Sequence, residues 1–253
     1  MKIVAIGGTG LIGSKVVQKL TQQGHVAVAA APSTGVNTIT GDGLDDALAG
    51  AQVVVDVSNS PSFDEQAAMD FFRTAGRNIT DAEMKAGVRH HVAVSVVGTD
   101  RLQDSGYFRA KLAQEQQIKG AGVPYTLLHV TQFFEFVRSI ADFSMIDGAV
   151  RLPPVMFQPI AAEDVAEAVV EAALGTPANT TIEVGGPDIF TLDEPVRLAL
   201  AHDGDPRQVI ADPAAPYFGV QVTERTLVPA TNARRGKVHF DWWLANVPAP
   251  ARK

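Results

Sequence analysis

The stretch that most constrains this chain is Lys2-Ile3-Val4-Ala5-Ile6 running directly into Gly7-Gly8-Thr9-Gly10-Leu11-Ile12-Gly13. The first five residues have the apolar character of a buried strand, and a helical pattern follows the glycines. Strand, glycine turn and helix in that order form the arrangement that holds the pyrophosphate of a dinucleotide. Gly7 permits the sharp turn, Gly10 leaves room for phosphates to approach, and Gly13 lets the helix pack against the strand. The first helical turn then offers unpaired N–H groups and the positive end of its dipole to an anion. Gly7, Thr9, Gly10, Leu11, Ile12 and Gly13 are therefore candidate cofactor contacts. An ordinary βα turn is the competing explanation.

The first two thirds of the chain alternate short apolar runs with longer helical patterns, which implies βαβ units and a parallel sheet. Strands are predicted at 2–6, 25–30, 36–40, 52–57, 90–95 and 124–129. Helices are predicted at 11–23, 44–49, 64–86, 107–121 and 132–141. Gly24, Gly50, Gly87 and Gly122 punctuate these elements. The pattern changes after about residue 145, and 203–230 is proline-rich with little periodicity. The expected class is α/β, a Rossmann-type doubly wound parallel sheet with a smaller C-terminal substrate lobe. The division falls at 1–150 and 151–253, interleaved rather than independently folding.

The 253 residues carry 21 basic and 28 acidic side chains, a net charge of −7, which argues against a nucleic-acid or anionic-membrane surface. The absence of cysteine removes disulfides, thiolate metal sites and a cysteine nucleophile. No apolar run approaches the roughly 20 residues that span a bilayer, and no signal peptide is visible. The expected setting is cytoplasmic, with a small-molecule substrate, as a monomer or homodimer.

The glycines are spaced G-x-x-G-x-x-G, one residue longer than the G-x-G-x-x-G fingerprint. With the preceding strand and the Gly-Gly-Thr-Gly core, the chain resembles the extended and atypical short-chain dehydrogenase/reductases, especially their NmrA-like members. Gln158-Pro159-Ile160-Ala161-Ala162-Glu163-Asp164-Val165-Ala166 resembles the segment before a helix of that family's substrate lobe. Glu163 or Asp164 is read as capping or charging the helix start. The Glu183-Val184-Gly185-Gly186-Pro187 turn is similar to the family's strand and loop there.

Tyr107-Phe108-Arg109-Ala110-Lys111 places a phenol and an ammonium on one helix face. A nearby Lys⁺ would lower the tyrosine pKa towards a range useful for acid–base work. An exposed helical pair is the alternative, but this one follows the predicted fifth strand. Ser95 ends the strand Val92-Ala93-Val94-Ser95, twelve positions before Tyr107, where doubly wound sheets place ligands. The resemblance implies that Ser95 bonds a substrate carbonyl oxygen, Tyr107 transfers the proton, and Lys111 binds the nicotinamide ribose. Alternatively, Ser95 satisfies a strand-end backbone group. After the next strand, His129-Val130-Thr131-Gln132-Phe133 stands where the family often has Arg-Pro-x-x-Phe beside the nicotinamide. Thr131 is accordingly a cofactor candidate, and Gln132 and Phe133 are substrate-pocket candidates. Core packing competes for Phe133 and Phe134, and His129 reads as a hydrogen-bonded strand histidine.

No Asp or Glu lies between Gly13 and Asp42, so the carboxylate that bonds both ribose hydroxyls of NAD is missing. Ser33 and Thr34 hydroxyls are available to a 2′-phosphate. This favours NADP, with NAD or dual use open. The family resemblance assigns Asp42 to the adenine amino group and Ser58-Asn59 to the adenine ribose. Helix capping competes for Asp42 and Asn59. Adjacent His90 and His91 point to opposite faces of a strand, so no metal site is expected. Arg234-Arg235-Gly236-Lys237 reads as a solvated turn, and Asp241-Trp242-Trp243-Leu244 as a short helix whose tryptophans dock on the lobe or a partner subunit.

The expected activity is NADP(H)-dependent hydride transfer to a carbonyl, enone or quinone-like molecule. The alternative is an NmrA-like redox sensor that binds the dinucleotide without chemistry. An NAD-dependent epimerase or dehydratase ranks lower. The lobe has only Arg151, Arg197, Arg207 and Arg225 between 150 and 230 to meet the phosphates of a sugar nucleotide.

Overall fold

Apolar runs bounded by glycines become strands, and the amphipathic stretches between them become helices, across the residues 1–248 that the computed structural model describes. The chain opens with β1 (Lys2–Ile6), α1 (Leu11–Gln22), β2 (Val26–Ala30), α2 (Leu44–Leu48) and β3 (Val53–Asp56). It continues through α3 (Glu65–Ala86), β4 (His90–Val96), α4 (Gly106–Gly120) and β5 (Tyr125–Val130). Then come α5 (Val137–Phe143), β6 (Met145–Ile146), β7 (Ala149–Leu152), β8 (Met156–Phe157) and α6 (Ala162–Leu174). The described chain closes with β9 (Thr181–Gly185), β10 (Phe190–Thr191), α7 (Asp193–His202), β11 (Val209–Ala211), β12 (Arg234–Arg235) and α8 (Phe240–Asn246).

A seven-stranded sheet has the order β12-β9-β5-β4-β3-β1-β2. β1 pairs in parallel with β2 on one side and β3 on the other. The strand order therefore reverses at β1, and in doubly wound sheets ligands bind beyond the carboxyl ends of the strands at such a point. All four residues of β3 are buried, as are Ile3 to Ile6 of β1, which is why Val53-Val54-Val55 and Ile3 to Ile6 read as unbroken apolar runs. Val4, Ile6, Val54, Leu44, Leu48 and Ile79 meet in one cluster. Each such side chain contributes about 1.5–3 kcal/mol when fully buried.

The chain divides into two compact units, one comprising Met1–His129 and Val165–Ile182, the other Val130–Asp164 and the residues from Glu183 on. The break is thus threefold rather than single at 150. In the first unit, Asp64 caps α3 by accepting from the Ala67 N–H at 3.0 Å. Gly87 ends that helix in the left-handed region.

In the second unit β11, β7 and β6 form a small sheet, and β10 pairs with β8. Its aromatic core joins Phe134 to Phe240 and Trp243 with ring centroids 5.1 and 5.5 Å apart. Trp243 is buried there, whereas Trp242 is exposed.

Several expectations change. Residues 36–40 form no strand: Asn37 Oδ1 accepts from the N–H of Ile39 and Thr40, so side-chain turns outcompete a ladder. The helix expected at 132–141 starts later, after a 3₁₀ turn over Phe134–Phe136. Arg234-Arg235 is not a solvated turn but pairs in parallel with Val184-Gly185. At the start of α6 the Ala162 N–H donates to the Glu135 carboxylate at 3.2 Å. Glu163 and Asp164 do charge the first turn of α6 as expected, but the Asp164 carboxylate accepts from the N–H of Lys237 and Val238, each at 2.9 Å, in place of capping.

Candidate functional site

Gly7 lies at φ +76°, and a Cβ there would stand 3.0 Å from Ser58 N and Val57 O. The turn after β1 is thereby pressed against the segment leaving β3. Gly8 is enclosed too, with its Cβ position 2.6 Å from Ala29 Cα. A Cβ on Gly13 would run into the Gly7 carbonyl oxygen and lie 2.7 Å from Gly8 Cα. Gly10 differs, because its Cβ position meets only Gly7 O at 3.2 Å. Gly10 is also the N-cap of α1, with no side chain bonding the helix N–H groups and no acidic residue in the first turn. Thr9, Gly10 and Leu11 are exposed while Ile12 and Gly13 are buried. An uncapped N-terminus behind an open glycine is what a pyrophosphate requires, so the turn fits a dinucleotide.

Beyond β2, Pro32–Thr34 forms a 3₁₀ turn. It brings Ser33 Oγ to 3.5 Å from Thr9 Oγ1, beside the glycines. The Thr34 hydroxyl is tied to its own backbone, accepting from Ala31 N–H and facing the Ala29 and Ala31 carbonyls at 3.0 Å. Asp42 is exposed and accepts from Thr40 Oγ1 at 2.7 Å. It does not cap α2, whose N-cap is Gly43. Asn78 of α3 anchors this loop by donating to the Thr38 and Ile39 carbonyls at 2.8 and 3.0 Å.

At the end of β3, Asn59 Oδ1 accepts from the Tyr107 hydroxyl at 2.8 Å. The phenol ring packs among Phe63, Phe72 and Phe108, with centroids 5.2, 6.2 and 5.6 Å away. Burial pushes its pKa up to about 12. The expectation that Lys111 lowers this pKa is therefore not met. The Lys111 ammonium is buried and donates elsewhere, to the Val94 carbonyl at 3.1 Å and Gln114 Oε1 at 2.5 Å. It also sits 4.7 Å from the centre of the Phe72 ring. Burial pulls its pKa down to about 8, partly opposed by the carboxylates of Asp56 and Glu115.

Ser95 joins a different group. Its buried hydroxyl donates to Glu115 Oε1 at 2.6 Å and lies 3.4 Å from Thr99 Oγ1. The same Glu115 oxygen meets His129 Nε2 at 2.8 Å, and Lys119 reaches the other oxygen at 3.4 Å. Burial would raise the Glu115 pKa, but His129, Ser95 and Lys119 together hold it below the usual carboxylate range. Strand alternation explains the placement: His91 and Ser95 share a face of β4, and they meet Glu83 of α3 and Glu115 of α4. Tyr107 is thus joined to Asn59, while Ser95 is committed to Glu115.

Three residues of this region were missed in the sequence. Asp56, Gln114 and Glu115 are all buried. A carboxylate ending the run Val53-Val54-Val55-Asp56 demands a buried partner, and Gln114 and Glu115 stand three and four positions after Lys111. Those were the available signals.

In the second unit, the Thr131 N–H donates to the Val184 carbonyl at 3.0 Å. The Thr131 hydroxyl and both amide atoms of Gln132 are buried with no hydrogen-bond partner among the described residues. Unpaired buried polar atoms of this kind are costly unless a ligand or water completes them. Phe133 bridges Ile160, and its ring lies 5.7 Å from Phe136. Among the described residues there is no cluster of metal-ligating side chains, and no helix is long and apolar enough to cross a membrane.

A family model described as NAD(P)H-binding matches residues 7–175. The photosystem II assembly factor Ycf39 of Cyanophora paradoxa is 24% identical over 149 residues, covering 53% of this chain and 46% of that protein. The protein of the same name from Synechocystis sp. is 23% identical over 233 residues, covering 85% of this chain and 72% of that one. This chain therefore spans about half the length of the first relative. Among solved structures, a short-chain dehydrogenase/reductase superfamily protein from Agrobacterium tumefaciens with bound NAD superimposes with a TM-score of 0.70 at 18% identity. The match covers 97% of this chain and 95% of that one, and at this identity it speaks to the fold alone.

Proposed function

This chain belongs to the NAD(P)H-binding family, and from that premise we propose that it is a reductase that uses NADPH to reduce a small carbonyl, enone or quinone-like molecule. The observation that carries the reading is Tyr107. Its phenol is held fully protonated, with a pKa of about 12, and its hydroxyl bonds Asn59 next to the Ser58 segment against which Gly7 packs. A phenol hydroxyl next to the dinucleotide turn can pass a proton to a substrate oxygen as hydride reaches the neighbouring carbon. The bound dinucleotide would supply a hydride to an electrophilic carbon.

Gly10 and the open first turn of α1 would receive the pyrophosphate, with Thr9 and Leu11 beside them. Ser33, near Thr9 and without a competing carboxylate, would meet the 2′-phosphate of NADP. Asp42, Ser58 and Asn59 would line the adenosine half. Tyr107 would turn its hydroxyl from Asn59 to the substrate oxygen and deliver its proton there. Lys111 would contribute a buried positive charge that favours the dinucleotide. Ser95 has no part in this reading, because Glu115 takes its hydroxyl. Thr131, Gln132 and Phe133 belong to the second unit, where the unpaired polar atoms of Thr131 and Gln132 are proposed to meet a ligand of their own.

The test is a screen of NADPH oxidation across aldehydes, ketones, enones and quinones, followed by Tyr107→Phe on any hit. Removing the hydroxyl should cost about 10²–10⁴ in kcat/KM and leave NADPH binding intact. Full activity in Tyr107→Phe would refute the role. A second reading, a dinucleotide-binding assembly protein without turnover, draws on the name of the Ycf39 relatives and on the commitment of Ser95 to Glu115. No turnover with any substrate class, together with tight NADPH binding, would favour it.

A further inference from the structure

We infer that Asp56 and Gln114 are positioning residues that tie the Lys111 ammonium to Ser58 through one buried chain, so that the two groups address the dinucleotide as a unit. The inference rests on the reading of Lys111 and Ser58 as cofactor contacts. Each link is short. Ser58 donates to Asp56 Oδ1 through its N–H at 2.9 Å and its hydroxyl at 2.6 Å. Gln114 Nε2 donates to Asp56 Oδ2 at 2.9 Å, and Gln114 Oε1 accepts from Lys111 Nζ at 2.5 Å. The ammonium also donates to the Val94 carbonyl at 3.1 Å.

The donor and acceptor inventory leaves this chain one polarity. A carboxylate only accepts and an ammonium only donates, so the Gln114 amide must point its nitrogen at Asp56 and its oxygen at Lys111. Asp56 has both oxygens engaged, one towards the loop after β3 and one towards α4. The carboxylate therefore fixes a loop residue and a helix residue together. A neutral amide between the two charges also keeps Lys111 out of a direct ion pair, so its charge is not cancelled by contact. Asp56, Gln114 and Lys111 are all buried, where such bonds are rigid and an unmade one is costly.

The charged groups around Lys111 are few. Asp56 faces it from β3, and Glu115 from its own helix. Glu115 is shared with Ser95 of β4, His129 of β5 and Lys119. The Asp56 charge also reaches His91 of β4, and α3 presents the Phe72 ring. Removing the Asp56 charge takes away a group that raises the Lys111 pKa, so Lys111 should lose its proton at lower pH.

The experiment is NADPH titration by fluorescence from neutral to alkaline pH, on the full chain and on Lys111→Met, Asp56→Asn and Gln114→Leu. In the unmodified protein, affinity should fall as pH passes about 8, where Lys111 titrates. Lys111→Met should abolish that fall. Asp56→Asn should move it about one pH unit lower and weaken binding roughly three- to tenfold near its midpoint. Gln114→Leu should weaken binding with the midpoint displaced in the same direction, and it carries the test alone should Asp56→Asn fail to fold. If Lys111→Met keeps the original affinity and profile, the reading of Lys111 as a cofactor contact fails. If Lys111→Met removes the fall but a folded Asp56→Asn or Gln114→Leu keeps the original profile, the positioning inference is overturned.

Discussion

Gly10 and Gly13 sit three residues apart in one turn, yet the structure assigns them different duties, and alanine at each should separate the two. At Gly13 the added methyl would enter the space of the Gly7 carbonyl oxygen and lie 2.7 Å from Gly8 Cα and 2.8 Å from Gly7 C. These are backbone atoms of a turn already pressed on Ala29 and Ser58, so they have little room to move. Overpacking of this kind costs about 1–3 kcal/mol, with backbone collisions at the upper end. Alanine regains about 0.5–1 kcal/mol of helix preference over glycine, since Gly13 lies in the first turn of α1. The net loss should be about 2 kcal/mol, which lowers Tm by about 4–8 °C in a chain of this length. At Gly10 the methyl meets only one oxygen at 3.2 Å, so Tm should stay within about 2 °C. Its cost should fall instead on NADPH, with Kd rising at least about tenfold, or 1.4 kcal/mol. Thermal melts followed by circular dichroism and fluorescence, with calorimetric NADPH titration, read both quantities. The two probes must coincide before one Tm is assigned, because the chain forms two compact units. Gly13→Ala melting with the unmodified protein, or a folded Gly10→Ala with unchanged NADPH affinity, would refute the assignment.

The remaining expectations concern cofactor choice and a buried ion pair. NADPH should bind more tightly than NADH, and Ser33→Asp should reverse the order by repelling the 2′-phosphate; calorimetry with both cofactors decides, and tighter NADH binding by the unmodified protein would sink the NADP preference. Burial disfavours a charged His91, but the Glu83 carboxylate at 2.6 Å and the more distant Asp56 outweigh it and raise the His91 pKa above 6.5. The stabilisation from this pair is therefore complete below pH 6.5 and is lost as pH rises through the raised value. Glu83→Gln should cost about 3–5 kcal/mol at mildly acidic pH and progressively less at alkaline pH; a difference from the unmodified protein that does not vary with pH in urea unfolding would contradict this.

The sheet was legible because strands buried on both faces leave unbroken apolar runs, as Val53-Val54-Val55 and Val92-Ala93-Val94 do. The glycine turn was legible because each glycine answers a separate geometric demand. What the sequence did not reveal depends on parity and on local competition. Ser95 was correctly set at the end of a strand, but the face it shares with His91 follows from the pleat, and that face leads to Glu115. Asn37, Thr40 and Asp42 turn the chain with their side chains where apolar spacing alone suggested a strand. Arg234-Arg235 pairs for only two residues, too short to leave a pattern. Tyr107 and Lys111 have the spacing of a catalytic pair. Even so, burial decides the acidity of each, and Gln114 and Val94 decide where the ammonium points.

The division of the chain bears on how proteins of this type could be recombined. The polypeptide passes from one unit to the other after His129, returns after Asp164, and leaves again after Ile182. Viewed from the first unit, 130–164 is an insertion and everything from Glu183 on is an extension. Ending the chain at His129 would discard Val165–Ile182, and with it most of α6 and the beginning of β9. A chimaera that borrows its second unit from another member of the family must therefore exchange two segments together, with crossovers at three places. One crossover near the middle of the chain would leave the first unit without a helix and a strand edge.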